Sequence, residues 1–131
     1  MDGFLTRYRA ALGVGALVVL CAIQPAQAAG DATKGADMFK KKCVICHTAE
    51  KDAPNKIGPN LFGVVGRAAG TVSNYSYSTA MKNSGLTWTP DVLIDYLAGP
   101  QKKVPGAKMT FAGIADEGQR ADVVVYLGTL K

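Results

Sequence analysis

Cys43-Val44-Ile45-Cys46-His47 is the stretch that decides how this chain is read. Two thiols and an imidazole so close together can hold a haem. The thiols add to the vinyl groups of the porphyrin, and the imidazole lies near enough to bind the iron axially. Cys-x-x-Cys-His is the known attachment signature of covalent haem. Other uses of these residues fit less well. A zinc site needs further Cys or His ligands, and beyond residue 28 the chain has no other Cys and no other His. A thioredoxin-like thiol pair belongs in a βαβ context, whereas this one follows a short, Lys-rich helical pattern. A structural disulfide leaves His47 without a role.

Upstream, the chain reads as a leader. Arg7 and Arg9 make a positive start, Ala10 to Ile23 is apolar, and Ala26-Gln27-Ala28 is a small-x-small cleavage signal. The apolar run is shorter than the ~20 residues of a membrane span. Residues 1–28 are therefore expected to be a secretory signal peptide and residues 29–131 the working domain. A retained anchor is the alternative. Cys21 follows Leu20, which excludes a lipoprotein anchor, because that modification needs a small residue before the Cys. A domain this short commonly leans on a disulfide, metal or cofactor for stability. With both remaining thiols committed to haem, the haem becomes the centre of the core. The formal charge of the whole chain is +5. In an exported protein without an Arg-rich or aromatic-interleaved basic face, that favours acidic protein partners and argues against nucleic acid.

Helical signals dominate the rest. Ala32 to Cys46 reads as a helix capped by Asp31 or Thr33, with Ala36, Phe39 and Cys43 at helical spacing and Lys40-Lys41-Lys42 near its C-terminal end. Glu50 to Thr71, rich in Gly, Pro and Asn, is a long irregular loop of the kind that wraps something. Ser78 to Asn83 is a short helix ended by Gly85. Thr89-Pro90-Asp91 starts another, which stops at Gly99-Pro100. Asp116-Glu117 opens the last, with Val123, Val124, Tyr126, Leu127 and Leu130 on its apolar side. Nothing alternates as a strand does, and Val123-Val124-Val125 lies inside a helical period. The expected class is all-α with much loop.

His47 fills one axial position on the iron. The other is either open, for ligand binding or peroxide chemistry, or closed by a side chain, for electron transfer. The candidates are Met38, Met81 and Met109. Met38 lies in the first helix and Met81 in a short helical patch, where core filling is the simplest role. Met109 lies between helices in Pro105-Gly106-Ala107-Lys108-Met109-Thr110-Phe111, where irregular backbone stiffened by Pro105 can aim a thioether inward.

From Gly35 to Leu130 the chain resembles the small class I cytochromes c, shared by mitochondria and bacterial periplasms. The resemblance is carried by Cys43–His47, Gly58-Pro59-Asn60-Leu61, Gly66-Arg67, Tyr75-Ser76-Tyr77, Trp88, Tyr96-Leu97, Pro105-Gly106-x-Lys108-Met109 and Arg120-Ala121-Asp122. It implies several short helices and long loops wrapped around one covalent haem, with the terminal helices crossing where Gly35 and Phe39 meet Val123, Tyr126 and Leu127. It also implies roles. His47 and Met109 ligate the iron, and the Pro59 carbonyl orients the imidazole. Tyr77 and Trp88 bond the haem propionates with the charge of Arg67 nearby, and Tyr96 sits beside the Met109 sulfur. Two positions depart from the mitochondrial pattern, Met81 in place of an Asn and Ala107 in place of a Thr, and each removes a polar contact near the haem.

The resemblance further implies a monomeric, non-enzymatic electron carrier of the periplasm, working in a respiratory chain or with dehydrogenases. Expected partners are redox proteins such as a cytochrome bc complex, a terminal oxidase or a periplasmic dehydrogenase, met at an exposed haem edge near Phe111. Lys40, Lys42, Lys56, Lys102 and Lys108 would fall at or near that edge. No stable membrane insertion is expected once the leader is removed. The alternative function is a haem enzyme or gas sensor with an open sixth site.

Overall fold

Asp31 caps the first helix, accepting hydrogen bonds at its carboxylate from Thr33 N (2.8 Å) and Lys34 N (3.2 Å). A cap of this kind contributes about 1 kcal/mol. The computed structural model describes residues 30–131, so the expected leader and its expected cleavage site lie outside the described residues.

Helix α1 spans Ala32–Lys42 and stops short of the Cys46 that periodicity suggests. The Phe39 carbonyl accepts from both Cys43 N (2.8 Å) and Val44 N (3.1 Å), and the Cys43 carbonyl then accepts from Cys46 N and His47 N. The motif therefore rides a turn. Val44 and Ile45, both β-branched and stiff at χ1, are poor material for another helical turn, and Lys40–Lys42 suit the helix end electrostatically.

Short α2 (Thr79–Lys82) is capped by Ser78, and α3 (Pro90–Ala98) by Thr89 with Pro in its first turn. A further short helix, α4 (Pro100–Lys103), follows at once where the sequence suggested only a stop. Gly99-Pro100 both ends and restarts, because proline's locked φ suits a first helical position as well as it blocks an interior one. Helix α5 (Glu117–Gly128) is capped by Asp116, which accepts from Gln119 N at 2.8 Å.

α1 and α5 cross, α3 packs on α5, and α4 on α3. Gly35 makes the crossing possible. A Cβ there would collide with the Asp122 carbonyl oxygen and stand 2.8 Å from Tyr126 Cβ. Beside it the Phe39 and Tyr126 rings meet with centroids 5.4 Å apart. α5 turns Val123, Val124 and Leu127 into the core and leaves Val125 at the surface, so the valine run is helical as its period indicates.

Between α1 and α2 the chain is irregular, and among the described residues only an isolated bridge, Ala68 to Thr87, resembles sheet. The loop is pinned to the helical frame by Gly63 N to Leu130 O (2.7 Å), Gly66 N to Trp88 O and Trp88 N to Arg67 O (both 2.9 Å). Phe39, Val64, Met81, Trp88, Leu93, Leu97, Ile114 and Leu127 belong to one buried apolar cluster. Many of them also wall a cavity. The class expected from sequence, all-α with long loops and crossing terminal helices, is the one observed.

Candidate cofactor site

The cavity has a volume of about 490 Å³, and Cys43, Cys46, His47, Pro59, Arg67, Tyr77, Trp88, Tyr96 and Met109 all line it. These residues come from the turn after α1, the long loop, the connection between α2 and α3, α3 itself and the loop before α5. Every residue expected to touch the cofactor thus reaches one space.

The turn that closes α1 sets the first donors. Cys43 and Cys46 are half-buried, while Ile45 between them is 75% exposed. Burial, reinforced by the neighbouring Cys46 and opposed by Lys42, raises the Cys43 pKa to about 11. His47 follows at 9% exposure, with Nδ1 2.7 Å from the Pro59 carbonyl oxygen. A carbonyl can only accept, so the ring proton is on Nδ1 and Nε2 keeps its lone pair. Burial lowers the His47 pKa, with the Pro59 bond acting the other way, so the ring is neutral near pH 7. Gly58 guards this orientation. A Cβ there would strike His47 Cε1 and stand 2.7 Å from Nδ1.

Met109 supplies the thioether. Its sulfur accepts a hydrogen bond from the Tyr96 hydroxyl at 3.4 Å. Tyr96 packs against Trp88 with ring centroids 4.8 Å apart, and burial lifts its pKa to about 12, so the hydroxyl remains a donor throughout the neutral range. Met81 and Ala107, the two departures, are buried and line the same cavity; Met81 is both core and wall. Met38 is half-buried against the core and outside the wall.

Arg67 is more anchored than a solvated charge would be. Its guanidinium donates to the Phe62 and Asn60 carbonyls at 3.1 and 3.2 Å. Desolvation depresses its pKa, countered by Tyr77. The Tyr77 oxygen accepts from Val72 N at 3.2 Å. Arg67 therefore fastens the loop and presents charge to the cavity at once.

The expected docking residues divide. Lys42, Lys108 and Phe111 line the cavity, whereas Lys56 and Lys102 do not, and Lys40 lies 3.9 Å from Asp37. Two of these lysines also tie the loops. Lys56 Nζ donates to Val44 O and Lys108 Nζ to Ser76 O, both at 2.7 Å. Ile57, 75% exposed, adds an apolar side chain at this cavity beside Ile45.

Sequence reasoning missed Gln101, whose side-chain amide reaches the Ala107 and Met109 carbonyls. Nothing in a Gln within a basic segment signals this. It also missed the loop network in which Asn60 donates to Glu50 O and Ala53 O while accepting from Phe62 N. The turn-forming Gly58-Pro59-Asn60 was the available clue. Among the described residues no three Cys, His, Asp or Glu gather as a metal-binding cluster. Paired thiols, an imidazole with a free Nε2 and a thioether in one apolar-walled cavity are a donor set that fits a covalent haem.

Comparison with known proteins agrees with this geometry. The cytochrome c family model matches residues 32–131. The chain is similar to the cytochrome c of Gibberella zeae, 49% identical over 100 residues that cover 76% of this chain and 94% of that one. It is likewise similar to cytochrome c2 of Rhodopila globiformis, 50% identical over 102 residues, covering 78% and 95%. A third relative, the cytochrome c-type cyt cy of Rhodobacter capsulatus, is 47% identical over 108 residues, 82% of this chain and 53% of that one.

Proposed function

Because the chain belongs to the cytochrome c family and is an electron carrier with one covalent haem c, we propose that it shuttles single electrons between periplasmic redox proteins with His47 and Met109 as its axial ligands. Bound in the cavity, the haem iron supplies a one-electron ferrous–ferric couple. The protein's own residues do the rest. Cys43 and Cys46 tether the porphyrin, and His47 offers Nε2 while Pro59 holds its other nitrogen. Arg67, Tyr77 and Trp88, which line the cavity, would hold the haem propionates. Tyr96 holds the Met109 sulfur, which would ligate the iron in both oxidation states, so that little rearrangement would accompany a transfer. The observation that carries this reading is that Cys43, Cys46, His47 and Met109 all line one cavity, with the Met109 sulfur already hydrogen-bonded to Tyr96.

A closed sixth site leaves no place for a substrate, and the chain is read as having no turnover of its own. Export rests on the leader pattern of residues 1–28. No helix among the described residues is long and apolar enough to cross a membrane. Partners are acidic-faced redox proteins such as a cytochrome bc complex, a terminal oxidase or a periplasmic dehydrogenase, approached through Lys42, Lys108 and Phe111 at the cavity, with Lys56 and Lys102 as outlying charges.

The visible spectrum of the purified holoprotein tests the ligation. Ferric protein shows an iron–sulfur charge-transfer band that Met109→Ala abolishes, and ferrous protein resists carbon monoxide at neutral pH. Ready carbon monoxide binding by the unmodified protein replaces this reading with the open-site enzyme or sensor. Mass spectrometry of the native protein tests export, with a haem adduct and loss of residues 1–28 expected.

A further inference from the structure

We propose that Gln101 is the positioning residue for the Met109 ligand, its amide clamping the loop backbone on both sides of Lys108; the proposal rests on reading Met109 as the axial ligand. Its Nε2 lies 2.6 Å from the Ala107 carbonyl oxygen and 2.6 Å from the Met109 carbonyl oxygen. A carboxamide nitrogen carries two N–H donors, and both are used. Holding these two carbonyls fixes the Ala107–Lys108 and Met109–Thr110 peptide planes, which bracket the Met109 Cα.

Beside the clamp, Lys108 Nζ ties the loop to Ser76, donating to its carbonyl at 2.7 Å and its hydroxyl at 3.3 Å, through a long side chain that leaves the Met109 backbone itself unheld. No backbone–backbone hydrogen bond involves residues 108–113 among the described residues. Ala107 has no hydroxyl to tie this segment to the cofactor. Tyr96 acts only on the sulfur, which is a weak acceptor. The clamp itself stands on firm ground: Pro100 is fully buried, and the Gly99 carbonyl accepts from Lys102 N and Lys103 N at 3.0 Å. This four-residue helix, α4, thus serves as a rigid base from which Gln101 reaches the loop. Thioether is a soft ligand that ferric iron holds weakly, so the persistence of the bond depends on how well the loop keeps the sulfur in place.

The test uses ferric holoprotein with imidazole as a competitor for the Met109 position, at fixed neutral pH. Gln101→Ala removes the clamp, and Gln101→Glu keeps its length while replacing the donors with acceptors. Both are expected to raise the apparent imidazole affinity about 5- to 10-fold, the equivalent of losing two partly exposed hydrogen bonds. Amide hydrogen exchange should quicken at residues 108–111 and stay unchanged in α5. Superimposable imidazole titrations for the unmodified protein and both variants overturn the proposal. Equal acceleration of exchange in the loop and in α5 also overturns it, because that signals general destabilisation. A ferric protein with no iron–sulfur band before any substitution overturns the Met109 reading itself, a result distinct from either of the others.

Discussion

At the scale of single residues the site is governed by close contacts that forbid substitution. Gly58 is the sharpest case, since a Cβ there would enter the His47 ring. Gly58→Ala should rotate the imidazole off its Pro59 partner and destabilise the holoprotein by about 1–3 kcal/mol, the usual cost of overpacking. A denaturant midpoint and the ferrous absorption bands check it together, and unchanged values in both would mean that the ring has room to move. Tyr96→Phe keeps the ring packed on Trp88 and removes only the bond to the Met109 sulfur. It should weaken the iron–sulfur band's resistance to imidazole by about 2- to 10-fold, the range for one net hydrogen bond. Of these features the Cys-x-x-Cys-His turn was readable directly, because its chemistry depends on residues adjacent in sequence. The steric role of Gly58 was not, since the ring it protects lies eleven positions away.

Among the elements, the crossing of α1 and α5 bears most of the frame. Gly35→Ala would place a methyl group against the Asp122 carbonyl, backbone that cannot swing aside as a side chain could. Its expected cost is about 2 kcal/mol or more by thermal or denaturant unfolding, whereas Asp31→Ala, which removes only a cap, should cost about 1 kcal/mol. A Gly35→Ala protein no less stable than Asp31→Ala would show that the helices can separate cheaply. Caps made the element starts legible: Asp31, Ser78, Thr89 and Asp116 all sit where their side chains accept the first free N–H groups. Ends were harder. Helical spacing extends through Cys43, but the Phe39 carbonyl takes two donors and closes α1 early. Pro100 reads as a terminator, yet it starts α4, because proline blocks a helix interior and suits a helix start.

On the scale of the whole molecule, a cavity of about 490 Å³ occupies the place where a chain of this size would otherwise pack its core. The double variant Cys43→Ser, Cys46→Ser should therefore yield no covalent haem and a largely unfolded chain by circular dichroism. A folded, haem-free domain recovered from it would contradict the view that haem completes the core. Docking is a property of the same scale. Oxidation by an acidic partner should slow as ionic strength rises, and Lys42→Glu should slow it at low salt; unchanged kinetics would remove Lys42 from the contact surface. Local chemistry and period by themselves determined the cofactor class and the all-α architecture, since motif, caps and helical spacing act over a few neighbouring positions, whereas the expected contact residues came from the resemblance to the small class I cytochromes c. Only the tertiary structure decided that Gln101 reaches the Met109 loop and that Lys56 and Lys108 fasten loops as well as carry charge. Those relations depend on where the irregular backbone between the helices travels, and its course is set by long-range hydrogen bonds and close packing that leave no period in the sequence.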